Sequence, residues 1–151
     1  MFSRFLTFFA VLALAPLALA EAALSVDKAW IRALPPVQKT TAAYFSLTNQ
    51  GTEAVQLVGA KVNGVGRVEI HTSREVDGLV RMEQLTTLDV AAGASQDFAP
   101  GGAHLMLFEL DAMPQPGDTR TLCLLFANAD EVCVEAQVRK SAATGHHHHH
   151  H

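Results

Sequence analysis

The chain has 151 residues, with 11 basic and 15 acidic side chains and a formal net charge of −4 at pH 7. No basic patch or Arg/Lys stripe is visible in the sequence, which argues against nucleic acid and anionic membrane surfaces as partners. The acidity is that of an ordinary soluble protein.

The N-terminus has the pattern of a signal peptide. Met1–Arg4 is a short positive segment, Phe5–Leu17 is largely apolar, and Ala18–Ala20 has the small-x-small form that signal peptidase cleaves. A retained membrane anchor is the alternative, but the apolar run is shorter than the ~20 residues that a span needs. We therefore expect residues 1–20 to be a signal peptide and the mature chain to have no segment inserted in a membrane.

The C-terminus reads as a linker and a histidine tag over residues 141–151, and the tag holds six of the eight histidines. Residues 21–140 remain, a usual size for one domain. Removing Arg4 with the leader leaves ten basic and fifteen acidic residues, 10 − 15 = −5. The domain has only two histidines, His71 and His104.

Short strands separated by turn residues follow one another along this domain. Asp77-Gly78 is a strong hairpin signal, and Asn63–Gly66 reads as a loop. The predicted strands are Val26–Ile31, Ala42–Thr48, Ala54–Val62, Val68–Thr72, Val80–Leu85, Leu88–Val90, Gln96–Phe98, His104–Leu110, Thr121–Phe126 and Glu131–Val138. Eight to ten strands with turns every 8 to 12 residues indicate an all-β sandwich or small barrel.

The chemistry-bearing residues are scarce and regularly placed. His71 is followed by Met82, then by His104 and Met106. Alternate residues of a strand share a face, so His104 and Met106 point the same way, with Cα atoms roughly 7 Å apart. His71 and Met82 lie on the two arms of the predicted hairpin and can face each other across it. The four side chains can therefore converge at one rim of a sandwich.

Two imidazoles and two thioethers form a soft, neutral ligand set. Thioether sulfur selects Cu(I), whereas zinc sites use mostly cysteine and histidine. Taken singly, each methionine is more often core filler, and each histidine is more often a surface or hydrogen-bonded residue. The concentration of scarce residues at hairpin-compatible spacing favours a copper site, with Cu(I) as the preferred ion.

The spacing His71-x10-Met82-x21-His104-x-Met106 resembles the motif of the PCu(A)C family, periplasmic copper chaperones that supply the CuA site of cytochrome c oxidase. Other stretches are similar to that family as well. They are Ala29–Ala33, Ala43-Tyr44, Thr48-Asn49, Val68–His71 and Pro100–Leu107. Together the similar stretches span most of residues 28–138.

The resemblance implies a cupredoxin-like Greek-key β-sandwich that is no enzyme and that holds Cu(I) through His71, Met82, His104 and Met106. It also implies periplasmic localisation and delivery of copper to cytochrome c oxidase subunit II, to a Sco-type assembly protein, or to both. Many family members have methionine directly after the first histidine, where this chain has Thr72.

Two further residues, Glu69 and Met113, could be related to the site, but a role unrelated to a metal is the more common one for each. Glu69 shares a face with His71 and could orient its imidazole, but a solvated carboxylate is the more common case. Met113 lies outside the motif, and we expect it to pack in the core.

Cys123 and Cys133 face each other if the last hairpin is centred on Asn128, so a structural cross-strand disulfide is favoured in an exported protein. A free redox pair or accessory copper thiolates are the alternatives. Three rival functions follow from the sequence. They are an electron-transfer cupredoxin, a thiol–disulfide reductase acting on oxidase cysteines, and a metal-free interaction domain.

Overall fold

The computed structural model describes residues 23–140, and every regular element in that range is a β-strand. The strands are β1 (Leu24–Arg32), β2 (Thr41–Asn49), β3 (Val55–Val62), β4 (Val65–Val76), β5 (Leu79–Leu85), β6 (Leu88–Val90), β7 (Ser95–Phe98), β8 (Ala103–Leu110), β9 (Thr119–Phe126) and β10 (Val132–Arg139). The predicted signal peptide (residues 1–20) and the predicted linker and tag (residues 141–151) lie outside the described residues. None of the ordered segments in 23–140 is a helix of the length and apolarity needed to cross a bilayer.

The ten strands form one hydrogen-bonded sheet in the order β5-β4-β8-β7-β2-β1-β10-β9-β3-β6. Neighbours such as β4 and β8 are far apart in sequence, as Greek-key connections require. The sheet folds back on itself, and its main apolar core contains residues from the first half of this order, β5 to β1, and from the second half, β10 to β6. The fully buried members include Ile31, Leu47, Leu57, Leu105, Leu107, Leu122 and Leu124. The all-β, cupredoxin-like sandwich predicted from the sequence is confirmed.

All ten predicted strands are present, but several boundaries differ by a few residues, most of all those of β4, which was predicted as Val68–Thr72 and spans Val65–Val76. Val65 and Gly66, assigned to a loop, are the first residues of β4. A Cβ on Gly66 would lie 2.9 Å from the Cβ of Glu109, so only glycine lets the two backbones approach here. A glycine in a strand that serves close approach is easily mistaken for a turn residue. The Asp77-Gly78 turn is confirmed, with positive φ at both residues (54° and 76°), as a type I′ hairpin needs.

A bulge in β1 decides which side chains reach the outer surface of the first half of the sheet. Asp27 pairs with Ser46 and Trp30 with Tyr44, so β1 contains one residue more than β2 between these pairs. The extra residue reverses the alternation of β1. Trp30 therefore points outward beside Tyr44, while Ile31 enters the core, fully buried.

Cys123 and Cys133 are directly paired between β9 and β10 and form a disulfide. Leu122 and Leu124 on either side of Cys123 are fully buried, so the disulfide lies on the outer face of its half of the sheet. Met113 is 5% exposed and packs in the core, as expected.

Removing this crosslink is expected to destabilise the domain. The bridged residues are 10 apart in sequence, and opening a loop of this size costs about 2–3 kcal/mol by the chain-entropy estimate. The Cys123→Ser/Cys133→Ser variant should unfold at a lower urea concentration than the oxidised wild type. Wild-type protein unfolded in the presence of a thiol reductant is the matched control and should shift similarly. Equal midpoints for all three samples would contradict this role.

Candidate metal centre

His71 and His104 are direct cross-strand partners in the antiparallel pair β4–β8. Their ring centroids are 5.9 Å apart. Ile70 precedes His71, and Leu105 follows His104. These two residues pair with each other and are buried in the core. Because alternate residues point to opposite faces, this core pair forces both imidazoles onto the outer face of the sheet.

The two methionines of the predicted set lie on the same outer face. Met106 is two residues beyond His104 and pairs with Glu69 of β4 and Ala42 of β2. Met82 of β5 pairs with Ser73 of β4. Ser73 is two residues beyond His71 on the same face, so Met82 is a diagonal neighbour of His71. The residue directly opposite His71 is Gln84, not Met82.

A cavity of about 300 Å³ lies among these side chains and is lined by Met82, His104 and Met106 together with Ser73, Tyr44 and Arg32. Met82 is 57% exposed and Met106 is partly buried, while His104 is 5% exposed. His71 is not part of this wall but stands next to His104. The structure thus brings three of the four predicted residues to one cavity and places the fourth beside it.

The hydrogen bonds of the two histidines fix opposite tautomers. His104 Nδ1 lies 2.9 Å from the carbonyl oxygen of Gly102, which can only accept, so Nδ1 carries the proton and Nε2 keeps a lone pair. His71 Nε2 lies 2.8 Å from Glu69 Oε2, so here Nε2 donates and Nδ1 keeps the lone pair. His71 Nδ1 is buried and has no hydrogen-bond partner. In its neutral form each ring therefore offers one unprotonated nitrogen, which is the form that binds a metal.

The expectation that Glu69 is merely a solvated carboxylate is wrong. Its side chain is only 17% exposed and forms an ion pair with Arg67 in addition to its contact with His71. Arg67 also lies 3.6 Å from Glu109 Oε1 and stacks over the ring of Phe108, 4.1 Å from its centroid. The carboxylate is therefore held in place and fixes the His71 ring, the arrangement by which outer partners orient histidine ligands.

The pKa of His71 is lowered from its ordinary value, first because the ring is buried and then because of the positive charge of Arg67. Both causes disfavour the imidazolium. Because the neutral ring predominates at pH 7, the contact with Glu69 is a hydrogen bond from a neutral imidazole. His71 is thus kept in the protonation state that a metal requires.

Comparison with known proteins identifies the family. The family model described as "Putative lipoprotein LpqE-like" matches residues 24–138. The chain belongs to this LpqE-like family of PCu(A)C copper chaperones. A relative from Leifsonia xyli subsp. xyli is 28% identical over 115 residues, which is 76% of this chain and 68% of the relative.

Solved PCu(A)C structures have the same fold. The apo PCuAC domain of PmoF2 superposes with a TM-score of 0.67 at 22% identity, over 82% of this chain and 95% of that domain. DR1885 from Deinococcus radiodurans, in its Cu(I) form, gives a TM-score of 0.65 at 28% identity, over 82% of each chain. The resemblance seen in the sequence motif is therefore confirmed at the level of family and fold.

We predict that the pKa of His71 lies below 6.5, the ordinary value, and that Arg67→Gln raises it because a nearby positive charge is removed. The measurement is an NMR titration of tag-free apo-protein, in which only two histidines contribute. Arg120→Gln, which removes a charge on β9, is the control and should leave the His71 pKa unchanged. A His71 pKa at or above 6.5 in the wild type would contradict the prediction.

Proposed function

We propose that this protein is a periplasmic chaperone that binds Cu(I) through His71, Met82, His104 and Met106 and transfers it to an acceptor protein. The observation that carries the proposal is the direct pairing of His71 with His104 on an outer face that also bears both methionines. Two neutral nitrogens and two thioethers are a set suited to Cu(I). The copper(I) form of DR1885 adds support from a relative.

The position of the ligands favours transfer over permanent storage. Met82 is more than half exposed and lies on β5, at the edge of the sheet. An incoming ligand can displace such a side chain without opening the core. His104 and Met106, which are more deeply buried, would hold the ion while Met82 leaves first. Copper stays Cu(I) throughout, and only its ligands change.

The rival functions are less well supported by the described residues. A blue-copper electron-transfer site needs a cysteine thiolate alongside two histidines, whereas both cysteines are joined in a disulfide on the outer face of the other half of the sheet. That disulfide also leaves no free thiol for reductase chemistry in this state. By the family's known role, cytochrome c oxidase subunit II or a Sco-type assembly protein is the proposed acceptor.

The methionine contribution can be measured directly. Met82→Ala/Met106→Ala should weaken Cu(I) binding at least ~10- to 100-fold, the range seen when even an outer partner of a metal ligand is lost. The measurement is competition with a Cu(I) chelator using tag-free protein. Met113→Leu, a change in the core away from the site, is the control and should bind like the wild type. Unchanged affinity in the double variant would refute the proposed ligand set.

Copper affinity should also depend on pH. Protons compete with Cu(I) for the same imidazole nitrogens, so affinity falls on acidification. Because the pKa of His71 is lowered, the part of this loss due to His71 appears below the ordinary value of 6.5. Cu(I) competition from pH 8 to pH 5, with a chelator whose own protonation is accounted for, tests this. A flat profile would argue against histidine ligation.

A further inference from the structure

Two arginines lie next to each other beside the proposed copper face. Arg32 of β1 and Arg139 of β10 are paired residues of a parallel strand pair, so their side chains leave the same face of the sheet. They are 107 residues apart in the sequence, which is why no basic patch was visible there. The structure assembles a local positive charge in a chain whose net charge is −4.

Neither guanidinium has a carboxylate partner among residues 23–140. Within residues 23–140 the ion pairs use Lys61, Arg67, Arg74 and Arg120, and neither Arg32 nor Arg139 is among them. In both arginines Nε is buried and lacks a hydrogen-bond partner. Two adjacent like charges repel each other, so the free protein retains an unsatisfied preference for an anion at this position.

Aromatic rings hold both arginines in place. The Arg32 guanidinium carbon lies 5.4 Å from the centroid of the Tyr44 ring, and that of Arg139 lies 4.6 Å from the centroid of Trp30. The two rings in turn pack against each other at 4.5 Å and are each about 5% exposed. A guanidinium fixed on an aromatic face has already lost much of its side-chain freedom, which lowers the cost of binding a carboxylate.

The arginine pair adjoins the outer face of the sheet that bears the four proposed copper ligands. Met106 packs against the cluster of Trp30 and Tyr44, and the Tyr44 ring lies 6.4 Å from that of His104. Arg32 lines the same 300 Å³ cavity as Met82 and His104. Arg139 lines a neighbouring cleft of about 450 Å³ that also contains Lys28, Trp30 and Asp97, whose carboxylate accepts a hydrogen bond from Ser46. A protein that reaches the copper ligands therefore also contacts the arginines.

We propose that Arg32 and Arg139 form a carboxylate-binding surface that docks an acidic copper acceptor protein beside His104 and Met82. Arginine presents a planar pair of donors that matches a carboxylate, and it is one of the residue types that dominate binding energy in protein interfaces. Charge complementarity of this kind mainly accelerates encounter and sets orientation. The identification of the docked protein as a copper acceptor rests on the proposed function.

Peptide probes test the proposal by Cu(I) transfer. Three synthetic peptides contain the same two cysteines, flanked by glutamates, by glutamines or by lysines. Their thiols take Cu(I) by ligand exchange and release protons to the buffer, without oxidation or reduction. At low salt, Cu(I)-loaded, tag-free protein should transfer copper to the glutamate peptide about 10-fold faster than to the glutamine peptide, and slowest to the lysine peptide. The overall negative charge of the protein predicts the opposite order, so that order would overturn the proposal.

Variants locate the effect. Arg32→Gln/Arg139→Gln should abolish the advantage of the glutamate peptide, while Lys61→Gln/Arg120→Gln, with the same change in net charge on the other half of the sheet, should keep it. Arg32→Lys/Arg139→Lys keeps the charge but not the planar donor pair, and should retain only part of the advantage. Thermal unfolding checks that each variant is folded. Equal effects of the first two double variants would overturn the proposal.

A copper-free measurement separates this inference from the proposed function. Titration of apo-protein with the glutamate peptide should shift the NMR signals of the Trp30 indole and the arginine Nε–H groups, and added salt should reverse the shifts. Glutarate at equal concentration is the small-anion control, and binding as tight as that of the peptide would overturn protein docking. Loss of Cu(I) binding with these shifts intact would contradict only the proposed function.

Discussion

The pairing of His71 with His104 is the constraint on which the proposed copper site depends, and the apolar core sets this pairing. On the strands β4 and β8 the core-facing pair Ile70–Leu105 adjoins the histidine pair. A slip of one residue in this register would turn one of the two imidazoles into the core and expose Ile70 or Leu105 in its place. Hydrophobic burial on one face thus places the two rings side by side on the other.

The polar groups around the two rings determine which nitrogen of each histidine donates a hydrogen bond and which one keeps its lone pair in the neutral form. Gly102 accepts from His104 Nδ1 and Glu69 accepts from His71 Nε2, so the two rings keep their lone pairs on different nitrogens. Arg67 holds Glu69 and also lowers the pKa of His71. One arginine therefore both positions the carboxylate and helps to keep the imidazole neutral. This arrangement leaves Nδ1 of His71 buried and without a hydrogen-bond partner.

Much of this arrangement is visible in the sequence because it depends on local alternation. The strand pattern, the Asp77-Gly78 turn and the shared face of His104 and Met106 follow from period-2 patterning and turn chemistry. Predicting that Met82 lies diagonally to His71 also requires the register of the β4–β5 hairpin, which follows from the two-residue Asp77-Gly78 turn. The sequence allowed Glu69 to orient the His71 ring but favoured a solvated carboxylate, and it did not predict the arginine pair. Glu69 depends on a partner, Arg67, that is itself held by residues of β8, and Arg32 meets Arg139 only through the parallel pairing of β1 with β10.

The bulge in β1 affects both the proposed copper site and the arginine pair Arg32–Arg139. With unbroken alternation, Trp30 would face the core and Ile31 the outside, and Arg32 would also point inward. The one extra residue places Trp30 beside Tyr44 and Arg32 beside Arg139, while β8 contributes Met106 to the same cluster. The rings of Trp30 and Tyr44 pack against Met106 and also lie beneath the two arginine side chains. A change in the bulge would therefore disturb the methionine and the arginines together, whereas His71 and His104, fixed by the β4–β8 register, would keep their places.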